Sequence, residues 1–220
     1  MLQLSILKFL KELKKNNNKS WFDENRKSYE IAKSDFSVAV DKMITGIATF
    51  DQSIENLKAK DCMFRINRDI RFSKDKSPYK TNMGAYFNSG GKKINNAGYY
   101  FHFAPGASFA AGGFYVPEPP ELSKIRQEID YNFDEWKKIV ETRSFKKYFP
   151  EGVNGTESLT RPPKGYDENN PAINYLKMKS FIVSHAFTDA ELLDKSVIKE
   201  IIKMFELMKP MIDFLNKSIE

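Results

Sequence analysis

Cysteine is nearly absent from this chain: of 220 residues only Cys62 carries a thiol. That excludes an internal disulfide and any zinc site built from several cysteines. Histidine is almost as scarce, with His102 and His185 alone. Neither belongs to an H-x-x-x-H pair or to a carboxylate–histidine spacing, so no metal or other cofactor is expected. No run of about 18 apolar residues occurs, which excludes a membrane-spanning helix. The stretch Met1 to Leu13 is amphipathic and has neither a continuous apolar segment nor a small-residue cleavage site. It does not read as a signal peptide, and the expected compartment is the cytoplasm. Internal repeats and low-complexity segments are also missing. The glycine pairs carry no nucleotide fingerprint. Gly90-Gly91-Lys92-Lys93 lacks the G-x-x-x-x-G-K-S/T spacing and leads into no helix, so it reads as a hairpin turn. Gly112-Gly113 has no strand–glycine–helix unit around it.

What remains is apolar, aromatic and mildly basic. Hydrophobic residues make up 41% and aromatic residues 14%, with eighteen Phe and ten Tyr, the composition of a globular chain that buries a sizeable core. The length suits a single domain over 1–220. A net charge of +6 permits a phosphate-bearing partner without requiring one.

The apolar spacing gives the elements. Ile6, Phe9, Leu10 and Leu13 form one stripe and predict a helix over 3–15. Ser20 with Asp23 reads as a capping box, opening a long helix whose stripe is Tyr29, Ala32, Phe36, Val40, Met43 and Ile47. The pattern then changes to period two, predicting strands at 61–67, 83–88, 98–104 and 108–115, separated by glycine-bearing turns. From Pro119 the chain is mainly helical, with Asn132 as a cap between two stripes. A proline- and glycine-rich irregular connection follows over 150–168. Phe181 to His185 is another candidate strand. Asn170-Pro171 and Thr188 with Glu191 read as helix starts. A final helix over about 197–218 should be kinked by Pro210. The fold expected is α+β: a mainly antiparallel, aromatic-rich sheet packed against N-terminal and C-terminal helices.

Residues 64–80 stand apart. Six of the seventeen are basic (Arg65, Arg68, Arg71, Lys74, Lys76 and Lys80), two are acidic (Asp69 and Asp75), and Phe64, Ile66, Ile70, Phe72 and Tyr79 are threaded between them. Phe64 and Ile66 alternate as on a half-buried strand, and Ile70 and Phe72 repeat the alternation after a bend. Pro78 keeps Ser77 out of a helix, so 73–78 reads as a basic loop. Arginine suits bidentate recognition of carboxylate or phosphate, and lysine acts as a point charge.

Three readings of this stretch stay open. It holds an anionic ligand, either a phosphorylated small molecule or nucleic acid, through Arg65, Arg68, Arg71, Lys74, Lys76, Tyr79 and Lys80, with Phe72 and Tyr79 as surfaces on which a base stacks. Alternatively it serves an enzyme acting on a phosphate or carboxylate, with Asp69 or His102 moving protons. Or it is scaffold, with Arg68-Asp69 and Lys74-Asp75-Lys76 as ion pairs pinning a loop to the sheet.

Residues 65–79 resemble the signature of a widespread bacterial family of unknown function, R-x-x-R-D-x-R-F-x-x-D/N-K-x-x-Y. Arg65, Arg68, Asp69, Arg71, Phe72, Asp75, Lys76 and Tyr79 fill every hallmark position. Trp21-Phe22 with Asn25-Arg26 and Tyr29-Glu30, Gly112-Gly113-Phe114-Tyr115 with Pro117, and Pro163-Lys164-Gly165-Tyr166 look like other blocks of that family. The resemblance implies kinship over most of the chain and carries no assigned reaction.

Overall fold

A computed structural model describes residues 2–220. The chain divides into two compact units. One takes in the chain up to Ile94 with Tyr100–Ala110 and Ala186–Lys203. The other comprises Asn95–Tyr99, Ala111–His185 and Met204–Glu220. Four strands, β1 (Met83–Phe87), β2 (Gly98–Phe103), β3 (Ser108–Phe114) and β4 (Phe181–Phe187), form an antiparallel sheet in the order β1-β2-β3-β4.

In the first unit, α1 (Leu4–Lys15) buries Ile6, Phe9, Leu10 and Leu13, the stripe read from its spacing. The long helix expected from Ser20 is instead two, α2 (Lys19–Glu24) and α3 (Arg26–Ala48). Asn18, not Ser20, is the cap: its side chain accepts from the Trp21 amide at 3.0 Å. Asn25 interrupts the run because its side-chain amide donates to the Trp21 carbonyl at 2.9 Å, the local competition that makes asparagine a poor helix-interior residue. Beyond the break, α3 buries Ala32, Phe36, Val40, Met43 and Ile47. Phe36 meets Phe101 and Phe103 of β2, with ring centroids 6.3 Å and 6.5 Å away. Met83, Ala85 and Phe87 of β1 share that buried side. Tyr86, Tyr100, His102 and Phe109 lie on the opposite face and are half-buried, the two-sidedness that antiparallel sheets permit.

The strand expected over 61–67 does not form. Residues 59–62 are a helical turn, α4 (Ala59–Cys62), whose leading backbone N–H groups are taken by carboxylates. Ala59 donates to Asp41 at 3.0 Å and Lys58 to Asp61 at 3.1 Å. Only Met63 then pairs with Ala85 as an isolated bridge, and Phe64 donates to the Gly84 carbonyl at 3.0 Å. The period-two pattern was real, but α4 took its first two residues. Cys62 is buried in α4, and burial together with the Asp61 charge pushes its thiol up to about 12, so it is a packing group and not a nucleophile.

In the second unit, α5 (Pro119–Tyr131) begins with prolines in its first turn and a Glu118–Glu121 capping box. It is followed by α6 (Phe133–Val140), α7 (Arg143–Tyr148) and α8 (Ile173–Leu176). Trp136 is fully buried against Tyr175, Phe181 and Phe214. Residues 150–168 are irregular, as expected. Thr188 caps the short α9 (Asp189–Leu192) through the box with Glu191. The last helix, α10 (Val197–Lys217), runs through Pro210. Its Phe205 packs on Tyr99 of β2 at 5.3 Å. The fold is thus α+β, with an aromatic-rich antiparallel sheet packed on N-terminal and C-terminal helices. Among the described residues no helix is long and apolar enough to cross a membrane.

Candidate functional site

The 64–80 stretch hangs from the edge strand β1 and doubles back on itself. Asn67 bridges Tyr79, the Arg68 amide donates to the Pro78 carbonyl at 2.9 Å, and the Lys80 amide donates to the Ile66 carbonyl at 2.7 Å. Two clamps fix this hairpin to the helices. Asn17 brackets the Tyr79 backbone, donating to its carbonyl at 2.9 Å and accepting from its amide at 3.1 Å. The Tyr79 ring is buried flat against Phe22, with centroids 4.0 Å apart and planes 15° apart.

Inside the loop the charges pair, but not as neighbours in sequence. Arg68 reaches across to the Asp75 carboxylate and also donates to the Ser77 carbonyl at 3.1 Å and the Ser73 hydroxyl at 3.2 Å. Arg71 grips Asp69 with two parallel bonds, Nε–Oδ1 at 3.0 Å and Nη2–Oδ2 at 2.7 Å. The Lys76 ammonium caps the Ile70 carbonyl at 3.0 Å. Lys74 is exposed, and Phe72 stands at the tip, 95% exposed. Hydrogen bonds from the Ser77 hydroxyl and amide, with the Arg68 guanidinium, hold the Asp75 carboxyl down at about 2. Asp69 is lowered chiefly by Arg71.

A depressed carboxyl contributes stability that is complete above its ordinary value of 3.8 and is lost as pH falls toward about 2. The loop is therefore expected to loosen over that window. Hydrogen exchange of residues 69–77 should accelerate between about pH 4 and about pH 2 in wild type. Asp75→Asn should show fast exchange already at neutral pH, and slow exchange in that variant would remove Asp75 from the clamp.

Arg65 and Lys80 lie at the open end of the hairpin. Lys80 sits over the Phe64 ring, 5.4 Å from its centroid, and burial and then the Arg65 charge hold its ammonium below the usual lysine range. Phe64 and Arg65 face a cavity of about 770 Å³ in the first unit, lined also by Tyr29, Glu30, Lys33, Ser34 and Ser37 of α3, by Lys60, Met63 and Ile66, and by Asn82, Met83 and Lys92. Four cations, Lys33, Lys60, Arg65 and Lys92, stand around it against one carboxylate, Glu30, which already lies 3.7 Å from Lys33 and 3.9 Å from Arg26. The nearby carboxylates of Asp41 and Asp61 are occupied by the amides at the start of α4.

Lys92 is held there by tight backbone packing. Gly91 has φ +62°, and a Cβ on it would stand 2.6 Å from the Asp61 carbonyl oxygen. The Lys92 ammonium donates to the Lys60 carbonyl at 2.5 Å. The Gly90-Gly91-Lys92-Lys93 segment does connect β1 to β2, and the same turn delivers a cation to the cavity.

Of the residues expected to bind the ligand or move protons, only Arg65 lines this cavity. Arg68, Arg71, Lys76 and Asp69 are engaged within the loop, Tyr79 belongs to the core, and Lys74 and Lys80 lie outside the lining. His102 is elsewhere on β2. Its Nδ1 is 2.9 Å from the Tyr100 hydroxyl, its ring stacks on Phe109 at 4.7 Å, and burial lowers its pKa. Lys33 and Lys60 escaped the sequence reading because exposed lysines carry no periodic signal, and Lys92 was read there only as part of a turn. Tyr29-Glu30, among the quoted family blocks, was the one pointer to this wall. Among the described residues no cluster of His, Cys, Asp and Glu is placed to hold a metal ion.

Fold and site together define an α+β protein with an aromatic sheet, a self-clamped basic hairpin on its edge strand and a cation-lined cavity beside it. The chain belongs to the DUF2461 family of conserved hypothetical proteins, whose model matches residues 5–214. Neither the search of curated proteins nor that of solved structures gave a match.

Proposed function

We propose that this protein binds a phosphate-bearing anion in the cavity where the basic hairpin meets α3, α4 and the 90–93 turn. The observation that carries this reading is the charge of the lining. Four cations against one carboxylate leave three positive charges around one concave surface. Without an anion they repel one another, and with one they share it. Arg65 supplies the planar fork for a phosphate, and the lysines supply point charges.

In this reading the R-x-x-R-D-x-R-F-x-x-D/N-K-x-x-Y pattern marks the family, and its residues divide the work. Arg65 faces the ligand, while Arg68, Asp75, Arg71, Asp69, Lys76 and Tyr79 hold the hairpin that presents it. The protein works in the cytoplasm, where phosphorylated small molecules are abundant.

A calorimetric or thermal-shift titration with inorganic phosphate and pyrophosphate at constant ionic strength tests the reading. A ligand at one hundred times its dissociation constant should stabilise the fold by about 2.7 kcal/mol. Arg65 is exposed, so Arg65→Ala should fold normally and bind about tenfold more weakly. Arg68→Ala should melt lower, with the binding loss following only from the loosened hairpin. Unchanged affinity in Arg65→Ala, or the absence of any anion-dependent shift in wild type, would refute the proposal and leave the stretch as scaffold.

A further inference from the structure

A phosphate alone does not account for this cavity. About 770 Å³ lies within the range of sites for whole small molecules, and the part of the lining that is not charged has a definite chemistry. Tyr29 and Phe64 supply two aromatic surfaces, and Met63, Ile66 and Met83 supply the apolar floor.

Both rings are held before any ligand arrives. Tyr29 is wedged against Phe9 at 5.6 Å and Phe22 at 5.0 Å, with the Lys33 ammonium 5.8 Å from its centroid. Phe64 is fixed by the hydrogen bond its backbone N–H donates to the Gly84 carbonyl and by the edge of Tyr100 at 6.2 Å and 69°. It nevertheless leaves 41% of its surface open. The open part of a phenyl group held rigidly beside a cation cluster suits a planar, π-faced ligand. Ser34, Ser37 and Asn82 add hydroxyls and an amide, which serve both donor and acceptor edges of a heterocycle.

We infer that the cavity takes a nucleotide, its phosphate held by Arg65 and the surrounding lysines and its base laid against Phe64 and Tyr29. The inference rests on the reading of the cavity as an anion site and adds the base. A sugar phosphate without a base satisfies the cations but leaves the aromatic walls wet.

The two parts separate in one experiment. Wild type, Arg65→Ala, Phe64→Ala and Phe72→Ala are titrated with the four ribonucleoside 5′-monophosphates, with ribose 5-phosphate and with inorganic phosphate, at equal ionic strength. At least one nucleotide should bind about tenfold or more tightly than ribose 5-phosphate, the increment that stacking of one base supplies. Phe64→Ala should erase that increment and keep the ribose 5-phosphate affinity. Arg65→Ala should weaken all the phosphates together. Phe72→Ala should change nothing, because that ring stands at the loop tip away from the lining.

Equal affinity for nucleotide and ribose 5-phosphate would overturn the base site and leave the anion site standing. Loss of the increment in Phe72→Ala but not in Phe64→Ala would move the base to the loop tip and also overturn it. No binding by any of the six probes would overturn both readings.

Discussion

Gly113→Ala is expected to destabilise the protein by more than about 3 kcal/mol, although it adds a single methyl group. Gly113 lies in β3 with φ +124°, a region that residues with a Cβ rarely enter. The space is closed as well. A Cβ there would stand 1.9 Å from the Phe181 carbonyl oxygen and 3.1 Å from the Ile182 Cα, both backbone atoms of β4. A side chain in the way can rotate aside, whereas a paired strand must shift along its length.

Gly106 isolates the strain from the clash. Its φ is +71° in the turn between β2 and β3, and a Cβ would meet nothing within 4 Å. Gly106→Ala should therefore cost only about 1 kcal/mol. Urea denaturation of the two variants checks the pair. If Gly113→Ala falls within about 1 kcal/mol of Gly106→Ala, β4 does not press on Gly113 as described.

Tyr79→Ala is expected to cost about 3 kcal/mol, with a functional consequence that Gly113→Ala lacks. The ring is 7% exposed and lies flat on Phe22. Truncation removes a buried aromatic and leaves a void between the hairpin and α2. It also weakens the seat of the 67–79 bridge that Asn17 brackets, so Arg65 loses its fixed position at the cavity. Melting temperature and phosphate affinity should fall together.

Tyr79→Phe keeps the ring and should stay within about 1 kcal/mol of wild type, with binding intact. The opposite pattern, normal stability with lost binding in Tyr79→Phe, would make the hydroxyl a ligand group and would contradict the core role assigned to Tyr79 here.

These variants act through contacts that differ in how far the sequence announces them. The stripe of α3 from Ala32 to Ile47 and the buried alternation of Met83, Ala85 and Phe87 follow from periods of 3.6 and 2, because a regular backbone turns spacing directly into a face. The Thr188–Glu191 box is equally local. Where local signals competed, the spacing misled. Ser20 and Asn18 are both good caps, and the one whose side chain reached the Trp21 amide prevailed. The alternation at 61–67 lost to α4, whose start is fixed by Asp41, a residue 18 positions away from Ala59. No window along the chain contains that bond.

Spacing and composition alone carry the fold class, most of the helical and strand faces, and the excess of positive charge in the 64–80 stretch. The partners were settled by folding. Arg68 pairs with Asp75 and not with adjacent Asp69, because the hairpin closes seven residues on. Tyr79 is buried while Phe72 is exposed, because Phe22 stacks on one ring and the other stands at the loop tip beside the Arg71 guanidinium. Lys33, Lys60, Arg65 and Lys92 meet around one cavity from four separate segments. Periodicity records which way a side chain points from its own backbone. Charge clusters and cavities arise from backbones distant in sequence, and their geometry exists only once the chain has folded.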